Sequence, residues 1–404
     1  MNRFTKALMC AALGATVCAL QACAPLKAPE PGANQSDHPR NIVFVLLDDL
    51  RFDAMGFLTP GLETPNIDYL AAHGVYFPNA VVTTSLCSPS RATILTGQTA
   101  ANHRVVDNNN SSEDGLVFFP KYLQQAGYQT GFFGKWHMGN ATDAPRPGFD
   151  KWVSFKGQGT YFPTDALSPD QIAKGQVEML NVDGRETKRT GYITDELTDY
   201  ALDWLRRGRD PSKPFFLYLS HKAVHSDPLT TEKYRDQYKT LDVKLPASMA
   251  NTEANNRGKP MWVRNQRNSW HGVDFPYHSD QDLREYVRQY YRTLSPVDDS
   301  VGKILAYLRE AGLDQNTLIV FYSDNGFLFG DHGLIDKRNA YEPSVRVPLV
   351  MYAPGLLPEG ATNTTRVRNL DMAPTFLDAA HVPQPKQFEG RSFLNAATGE
   401  VTPE

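Results

Sequence analysis

The sequence has little cysteine. Only four of its 404 residues are cysteines, and three of these, Cys10, Cys18 and Cys23, lie near the amino terminus. The fourth, Cys87, has no apparent disulfide partner, so a structural disulfide is excluded as the reason for its presence. An excess of charge of one sign is also lacking, because the formal net charge is −4 at pH 7. The composition therefore gives no indication of a nucleic-acid partner.

Long hydrophobic runs are absent as well. The most apolar segment, residues 7–20, is too short for a comfortable membrane span. It follows a short basic segment and precedes the small residue Ala22, which is the pattern of an export signal. Residues 1–22 are therefore predicted to be a signal peptide, and we expect the exported protein to work in an oxidising compartment.

Residues 20–23 resemble a bacterial lipobox that ends at Cys23. We expect Cys23 to carry a lipid that anchors the mature protein to a membrane. Residues 23–40, which are rich in proline, alanine and polar residues, are predicted to form a disordered tether. The protein would then be a periplasmic or outer-membrane lipoprotein of a bacterium. Cleavage as a plain signal peptide is the alternative, because Gln21 is an unusual lipobox residue.

From residue 41 onward, the chain is long enough for one large α/β domain. Apolar runs typical of buried strands alternate with helical patterns, which predicts a mostly parallel sheet flanked by helices. The predicted strands are residues 41–47, 128–133, 214–220, 317–322 and 347–352. The predicted helices are residues 64–73, 119–126, 193–207 and 280–311, the last interrupted at Pro296.

Residues 84–97 place Cys87 directly before a predicted helix. Ser88 has the character of an N-cap, Pro89 suits the first helical position, and Gly97 suits the end. A thiol at this position faces the positive end of the helix dipole, where thiols are activated and anions are held. Arg91 lies on the first turn, on the side that can reach Cys87. The alternative interpretation of Cys87 is a small buried residue before an ordinary helix.

Polar residues recur just past the ends of the predicted strands. They are Asp48, Asp49, Lys135, His137, His225, Asp324 and Asn325. In open α/β sheets, ligands bind at this edge. Each residue taken alone has a simpler interpretation: a solvated strand end or helix cap, a tight turn, a structural histidine, or, for Lys135 and Lys337, a surface charge. Their repeated placement favours a site.

The residue types in this set indicate its chemistry. Three carboxylates and an amide, from Asp48, Asp49, Asp324 and Asn325, offer only oxygen ligands, which suits a hard cation such as Ca²⁺ or Mg²⁺. The cation, two lysines, an arginine and two histidines would form an electropositive pocket. Its natural ligand is a tetrahedral oxyanion, either sulfate or phosphate, whose ester the cation would polarise.

The run Cys87-Ser88-Pro89-Ser90-Arg91 resembles the C-x-P-x-R signature of type I sulfatases. The resemblance extends over residues 41–391. It includes the Asp-Asp pair after the first strand, the region of His225, and the motifs at 134–137, 324–326, 330–333 and 337–348. It implies the alkaline-phosphatase-like α/β fold and sulfuric ester hydrolysis. It also implies that a separate maturation enzyme converts Cys87 to formylglycine, the nucleophile of the reaction. The unpaired cysteine would thereby be consumed.

The resemblance also implies a role for each site residue. Residue 87 would bind Ca²⁺ together with Asp48, Asp49, Asp324 and Asn325. Arg91 would orient the hydrated aldehyde, and Lys135 and Lys337 would hold the sulfate oxygens. His225 would protonate the leaving alcohol as general acid, and His137 would take a proton so that sulfate is released.

Weaker similarities predict the substrate class and the domain boundaries. Residues 148–150 and 181–205 resemble the N-acetylglucosamine-6-sulfatase branch, which predicts a sulfated carbohydrate substrate. Residues 250–279 carry Trp262, Trp270, His271 and Tyr277, which suit carbohydrate binding; an exposed insertion packed by its own aromatics is the alternative. Related enzymes continue further, so residues 41–375 are predicted as the catalytic domain and 376–404 as a remnant of a truncated C-terminal subdomain.

Two other functions remain open from the sequence. A phosphonate monoester hydrolase or phosphodiesterase of the same superfamily would use the same modified cysteine and a related metal site. A truncated, non-catalytic lipoprotein that binds glycans is the second alternative. Every motif position that can be matched carries the residue type of an active enzyme, which favours catalysis.

Overall fold

The computed structural model describes residues 40–109, 115–138, 142–274 and 282–399. These residues belong to one compact unit. The predicted signal peptide, the lipid attachment at Cys23 and the tether up to residue 39 lie outside the described residues. Within the described ranges, no helix combines the length and apolar character needed to cross a bilayer.

The strands and helices alternate along much of the chain. The strands are β1 (Asn41–Leu47), β2 (Val75–Tyr76), β3 (Ala80–Val81), β4 (Gln129–Lys135), β5 (Lys151–Phe155), β6 (Met179–Val182), β7 (Arg185–Lys188), β8 (Phe215–Ser220), β9 (Thr317–Ser323), β10 (Leu328–Phe329), β11 (Ile335–Asp336), β12 (Leu349–Tyr352), β13 (Ala361–Thr362) and β14 (Val367–Arg368). The helices are α1 (Pro65–Ala72), α2 (Cys87–Thr96), α3 (Ala100–His103), α4 (Pro120–Gln125), α5 (Pro169–Ala173), α6 (Ile193–Asp203), α7 (Glu253–Asn256), α8 (Met261–Gln266), α9 (Leu283–Glu310), α10 (Glu342–Val345), α11 (Met372–Ala379) and α12 (Leu394–Ala397).

Ten strands form one sheet in the order β13-β2-β12-β9-β1-β8-β4-β5-β6-β7. The five central strands, β9, β1, β8, β4 and β5, are mutually parallel. Antiparallel strands flank them, with β12 next to β9 and β6 next to β5. The predicted α/β fold with a mostly parallel sheet is confirmed. The last predicted strand, 347–352, is the antiparallel β12 and begins at Leu349.

Helices cover both faces of the sheet, and β1 shows why. Its residues alternate between two apolar cores, with Val43, Val45 and Leu47 facing one core and Ile42, Phe44 and Leu46 the other. Helices α1, α6 and α9 close the first core, and α2, α4 and α11 close the second. A strand buried on both faces gives the near-continuous apolar run seen in the sequence.

Helix α9 is unbroken, contrary to the predicted interruption at Pro296. Proline removes the hydrogen bond that would reach the carbonyl of Arg292, four residues earlier. That carbonyl instead accepts a hydrogen bond from the Thr230 hydroxyl at 3.1 Å, so the helix continues without an unpaired acceptor. Asp298 on the same helix accepts the backbone N–H groups of Asn66 at 3.0 Å and Ile67 at 2.8 Å. Asp298 thereby provides acceptors for N–H groups in the first turn of α1, which have no partner within the helix.

The carboxyl-terminal segment continues the main core. Helix α11 spans the boundary predicted at residue 375, and its residues Met372, Phe376 and Leu377 are fully buried in the second core. Leu394 and Ala397 of α12 join the same core. The described structure therefore draws no division at residue 375.

Candidate active site

The carboxyl ends of β1 and β9 bring the predicted metal ligands together. These strands are parallel neighbours, with Leu47 paired to Ser323, so Asp48 and Asp49 emerge beside Asp324. The Asp49 backbone N–H donates to the Asp324 carboxylate at 3.2 Å. Asp48, Asp49 and Asp324 are fully buried, and one carboxylate oxygen from each lies within 4.8 Å of the others.

Helix α2 delivers Cys87 to this cluster. The Cys87 Sγ lies 3.2 Å from Asp48 Oδ1 and 3.9 Å from Asp49 Oδ1. The helix begins at Cys87 and its N-cap is Leu86, which corrects the prediction of Ser88 as N-cap. The Ser88 hydroxyl instead donates to the His137 carbonyl. Gly97 ends the helix in the left-handed conformation, as predicted.

The thiol of Cys87 is not activated, in contrast to the expectation from the helix dipole. Cys87 is fully buried, and burial together with the carboxylate of Asp48 raises the pKa of the thiol far above its usual range. Desolvation and a neighbouring negative charge both disfavour a thiolate, and here they outweigh the dipole. As cysteine, residue 87 is therefore a protonated and poorly nucleophilic thiol.

Arg91 connects the ends of strands β9, β4 and β8. Its Nε donates to Asp324 at 2.8 Å, and its Nη1 donates to the Lys135 carbonyl at 2.6 Å and to the Ser220 hydroxyl at 2.7 Å. The second terminal nitrogen, Nη2, lies 3.8 Å from Asp48. A planar guanidinium can make these contacts at once, whereas a lysine ammonium cannot match their geometry.

Both predicted lysines contact the carboxylates directly. Lys135, at the end of β4, donates to Asp48 and to the Gln158 amide oxygen. Lys337 donates to Asp49. Both lysines are buried beside the carboxylates, which excludes the alternative interpretation that they are surface charges.

The two predicted histidines lie at the same edge of the sheet. His225 Nε2 is 3.8 Å from Asp49 Oδ2, and its Nδ1 is 2.8 Å from the Ser226 carbonyl. A carbonyl only accepts, so Nδ1 carries a proton. His137 is buried, and its Nδ1 has no hydrogen-bond partner among the described residues. Burial and the charge of Lys135 lower the pKa of His137 to about 2, which leaves the ring neutral at pH 7.

The electrostatics of the carboxylate cluster fit a bound cation. Burial, followed by repulsion from Asp48, raises the pKa of Asp324 to about 7. Burial and the same neighbour raise the pKa of Asp49 as well. Although burial acts in the same direction on Asp48, the cations around it hold its pKa well below the usual range. Buried carboxylates that repel one another gain from a divalent cation.

The amide of Asn325 adds a further sign of a cation. Its Nδ2 donates to Asp49 at 2.6 Å and to the Gly326 carbonyl. Its Oδ1 is buried and has no hydrogen-bond partner among the described residues. An unpaired buried oxygen beside three carboxylates completes an all-oxygen ligand set. The residues present therefore fit a hard cation.

The sequence did not reveal four residues that support the site. Ser220 holds Arg91, and Gln158 holds Lys135. Lys222, which is buried, donates to the Ser226 carbonyl at 3.1 Å, and the Tyr161 hydroxyl donates to the His225 carbonyl at 2.7 Å. None lies in a recognisable motif. The position of Ser220 and Lys222 at the end of β8 was the one available signal.

Comparison with known proteins agrees with this geometry. A family model for sulfatases matches residues 40–382. An N-acetylglucosamine-6-O-sulfatase of Bacteroides thetaiotaomicron is 30% identical over 447 residues, which cover 97% of this chain and 75% of that protein. The N-acetylglucosamine-6-sulfatase of Capra hircus is 33% identical over 91% of this chain, which spans 65% of the goat protein.

A solved structure shows the same fold. It is that of a protein in complex with its substrate D-glucosamine-2-N,6-O-disulfate. The match has a TM-score of 0.79 and 29% sequence identity, and it covers 90% of this chain and 81% of that one. With the family model spanning most of the sequence and a relative 30% identical along nearly all of it, this protein belongs to the sulfatase family.

Proposed function

We propose that this protein removes 6-O-sulfate groups from glucosamine-type sugars, using a formylglycine made from Cys87 and a bound Ca²⁺. The observation that carries the proposal is the position of Cys87. It is buried within 3.2 Å of Asp48, where its own thiol is held protonated. A residue so placed but chemically inert as cysteine is consistent with a nucleophile that is made by modification.

The cation and the modified residue supply the chemistry that the unmodified chain lacks. Asp48, Asp49, Asp324 and Asn325 would hold the cation, which supplies positive charge against the sulfate ester. A hydrated formylglycine at position 87 supplies one hydroxyl that attacks sulfur and a second whose deprotonation releases sulfate.

The cationic side chains would bind the sulfate group. Lys135 and Lys337 are held by Asp48 and Asp49, the carboxylates that would bind the cation. With a cation held by these carboxylates, the ammonium groups of Lys135 and Lys337 would be available to the oxygens of a sulfate bound beside them. Arg91 remains bound to the Asp324 carboxylate, to the Lys135 carbonyl of β4 and to the Ser220 hydroxyl of β8. It therefore fixes the position of the first turn of α2.

The histidines would handle the two protons. The Nδ1 proton of His225 is held by the Ser226 carbonyl, so its Nε2 is the nitrogen that can deliver a proton to the leaving oxygen. Burial and Lys135 lower the pKa of His225, and a bound sulfate would raise it again by placing negative charge nearby. The Nδ1 of His137 has no hydrogen-bond partner among the described residues, so it is positioned to accept a proton. The negative charge of a bound sulfate would raise the lowered pKa of this ring as well.

The location of the enzyme is part of the proposal. The sequence patterns at 1–6 and 7–20 support export, and the pattern at 20–23 supports lipid attachment at Cys23. The sulfatase signature supports a maturation enzyme that acts on Cys87. The sugar preference is supported by the similarity to N-acetylglucosamine-6-sulfatases.

The proposal is tested by expression with and without a formylglycine-generating enzyme. We expect the mass of the Cys87 peptide to change only with that enzyme, and sulfate release from 6-O-sulfated N-acetylglucosamine to depend on the change. The other test substrates are sugars sulfated at the 3-O and N positions, and aryl phosphonate and phosphate esters. Cys87→Ala is the matched inactive control.

Two results would overturn the proposal. Faster turnover of phosphonate or phosphate esters than of sulfate esters would assign the site to the other chemistry. Equal activity in Cys87→Ala and in the parent protein would remove residue 87 as the nucleophile.

A further inference from the structure

Residues 259–274 form a small lobe on the surface, which we call the 259–274 lobe. Helix α8 makes up its first part, and the turn that follows folds back so that the Asp274 N–H donates to the Arg267 carbonyl at 3.1 Å. Val263 is the buried residue of α8, and it packs with Leu328 and Leu334. The rest of the helix is exposed or half-buried.

The 259–274 lobe is attached to the segment that carries Lys337. The Ile335 N–H donates to the His271 carbonyl at 2.9 Å. The His271 ring lies 2.8 Å from the carboxylate of Asp336, which directly precedes Lys337. Asn339 Nδ2 is 3.4 Å from Gln266 Oε1 on α8. Contacts on both sides of Lys337 therefore place the lobe at the edge of the active site.

The lobe exposes two tryptophans at this edge. Trp262 is 59% exposed and Trp270 is 52% exposed. Trp262 lies four residues before Gln266, so both are on the same face of α8, about 6 Å apart along the axis. Since Gln266 contacts Asn339, Trp262 is on the side of the helix that borders the Lys337 segment. Large exposed aromatic side chains near a cleft usually mark a binding surface.

The lobe is also cationic. Lys259, Arg264 and Arg267 lie close enough together that burial and the charges of the two arginines lower the pKa of Lys259. Arg338, next to Lys337, is exposed. Arg267 is paired with Asp274 at 2.8 Å, and Arg338 is paired with Asp336. Lys259 and Arg264 are therefore the charges of this surface that have no ion pair among the described residues and can attract an anion from solution.

We propose that the 259–274 lobe binds the sugar units next to the one that is cleaved, on an anionic glycan chain of several sugars. This inference rests on the proposed function and deepens it, because it names an oligosaccharide or polysaccharide as the substrate. The flat apolar faces of Trp262 and Trp270 match the C–H face of a pyranose ring. Lys259 and Arg264 match the sulfate or carboxylate groups of neighbouring units.

The test compares affinities for two ligands that share the cleaved unit. A sulfated tetrasaccharide ending in 6-O-sulfated glucosamine and the 6-O-sulfated monosaccharide are titrated by calorimetry in calcium-containing buffer. We expect the parent protein to bind the tetrasaccharide more tightly. Trp262→Ala should reduce the affinity ratio of the two ligands by about three- to tenfold, the range for one aromatic contact. Trp262→Phe should retain most of the affinity ratio of the parent protein.

The control is Ile172→Ala, which truncates an exposed apolar residue on α5 and should keep the parent ratio. An unchanged ratio in Trp262→Ala, or a parent protein that binds both ligands equally, would overturn the inference. The inference would also be overturned if the parent protein were a dimer that dissociates in Trp262→Ala while the affinity ratio stays constant. That result would assign the exposed face of the 259–274 lobe to self-association. All titrations use protein expressed without the formylglycine-generating enzyme, so the ratio is measured without turnover. It can therefore be read even if the mature protein does not hydrolyse sulfated sugars and the proposed function fails.

Discussion

Lys222 provides the sharpest test of how the site works. It is buried, and its ammonium group donates to a backbone carbonyl that lies outside the carboxylate cluster. Its Nζ donates to the Ser226 carbonyl at 3.1 Å and lies 4.7 Å from the centre of the Tyr161 ring. The same carbonyl accepts the Nδ1 proton of His225 at 2.8 Å. Lys222 therefore fixes the carbonyl that orients the proposed general acid.

Replacement of Lys222 with methionine keeps the length and removes the donor. The hydrogen bond contributes about 1.5–3 kcal/mol if charged, and the ring contact about 2 kcal/mol. Burial opposes this gain, because it lowers the pKa of Lys222 to about 7, so that holding the charge at pH 7 is itself costly. The two effects offset one another, and we expect Lys222→Met to change the free energy of unfolding by no more than about 2 kcal/mol.

The effect on catalysis should be larger and should depend on the leaving group. General acid catalysis contributes about 10²- to 10⁴-fold when the leaving group is a poor one. A sugar alcohol needs the proton of His225, whereas 4-nitrophenol leaves readily without it. We therefore expect Lys222→Met to lower kcat for a sugar 6-sulfate at least about tenfold more than kcat for 4-nitrophenyl sulfate.

The measurement is the ratio of kcat for the two esters in the mature enzyme. Tyr161→Phe, which removes the donor to the His225 carbonyl, should lower the ratio in the same direction. Lys233→Met, which removes a surface lysine paired with Asp299, is the matched control. An equal loss on both esters in Lys222→Met would refute the reasoning, since it would mean a general disturbance of the site.

Removal of the cation with EDTA is expected to lower the melting temperature and the activity together, because a ligand that binds the folded state stabilises it by mass action; an unchanged melting curve would argue against the metal site. Arg91→Met should reduce the free energy of unfolding in urea by about 3–5 kcal/mol, because it leaves a buried carboxylate unpaired; a loss below about 1 kcal/mol would contradict this. Burial raises the pKa of Asp298 to about 6 in the folded state, so the folded protein binds this proton more tightly than the unfolded chain. The Asp298 contribution to stability should therefore fall as the pH rises from about 4 to about 6. Relative to the parent protein, Asp298→Asn should gain stability over that interval, and parallel pH curves of the two proteins would disprove the assignment.

The sequence was sufficient to predict the assembly of the site because of one physical regularity. Parallel strands end at a common edge, so polar residues that follow several buried strands must meet there. This places Asp48, Lys135, Asp324 and His225 together without knowledge of the strand order. The order β9-β1-β8-β4, which sets the contacts of each residue, came only from the structure.

Features that depend on tertiary contacts were not predictable in this way. Proline at position 296 indicates a break, but the Thr230 hydroxyl that replaces the lost hydrogen bond lies far away in sequence. Ser88 indicates an N-cap, but its hydroxyl donates to the His137 carbonyl in the fold, and the N-cap is Leu86, two residues earlier. The helix dipole indicates a reactive thiol, but complete burial beside Asp48 has the opposite effect. Each local preference was overridden by a partner from another part of the chain.

The complete burial of Cys87 would also restrict when the proposed oxidation of this residue can take place. Its side chain has no solvent-accessible surface in the folded protein, and helix α2 around it is buried over its whole length. An oxidising enzyme would have no access to this sulfur once the sheet and its helices have closed. Conversion would have to take place on the nascent or newly exported polypeptide, so the timing of folding relative to oxidation would decide what fraction of molecules ever becomes active.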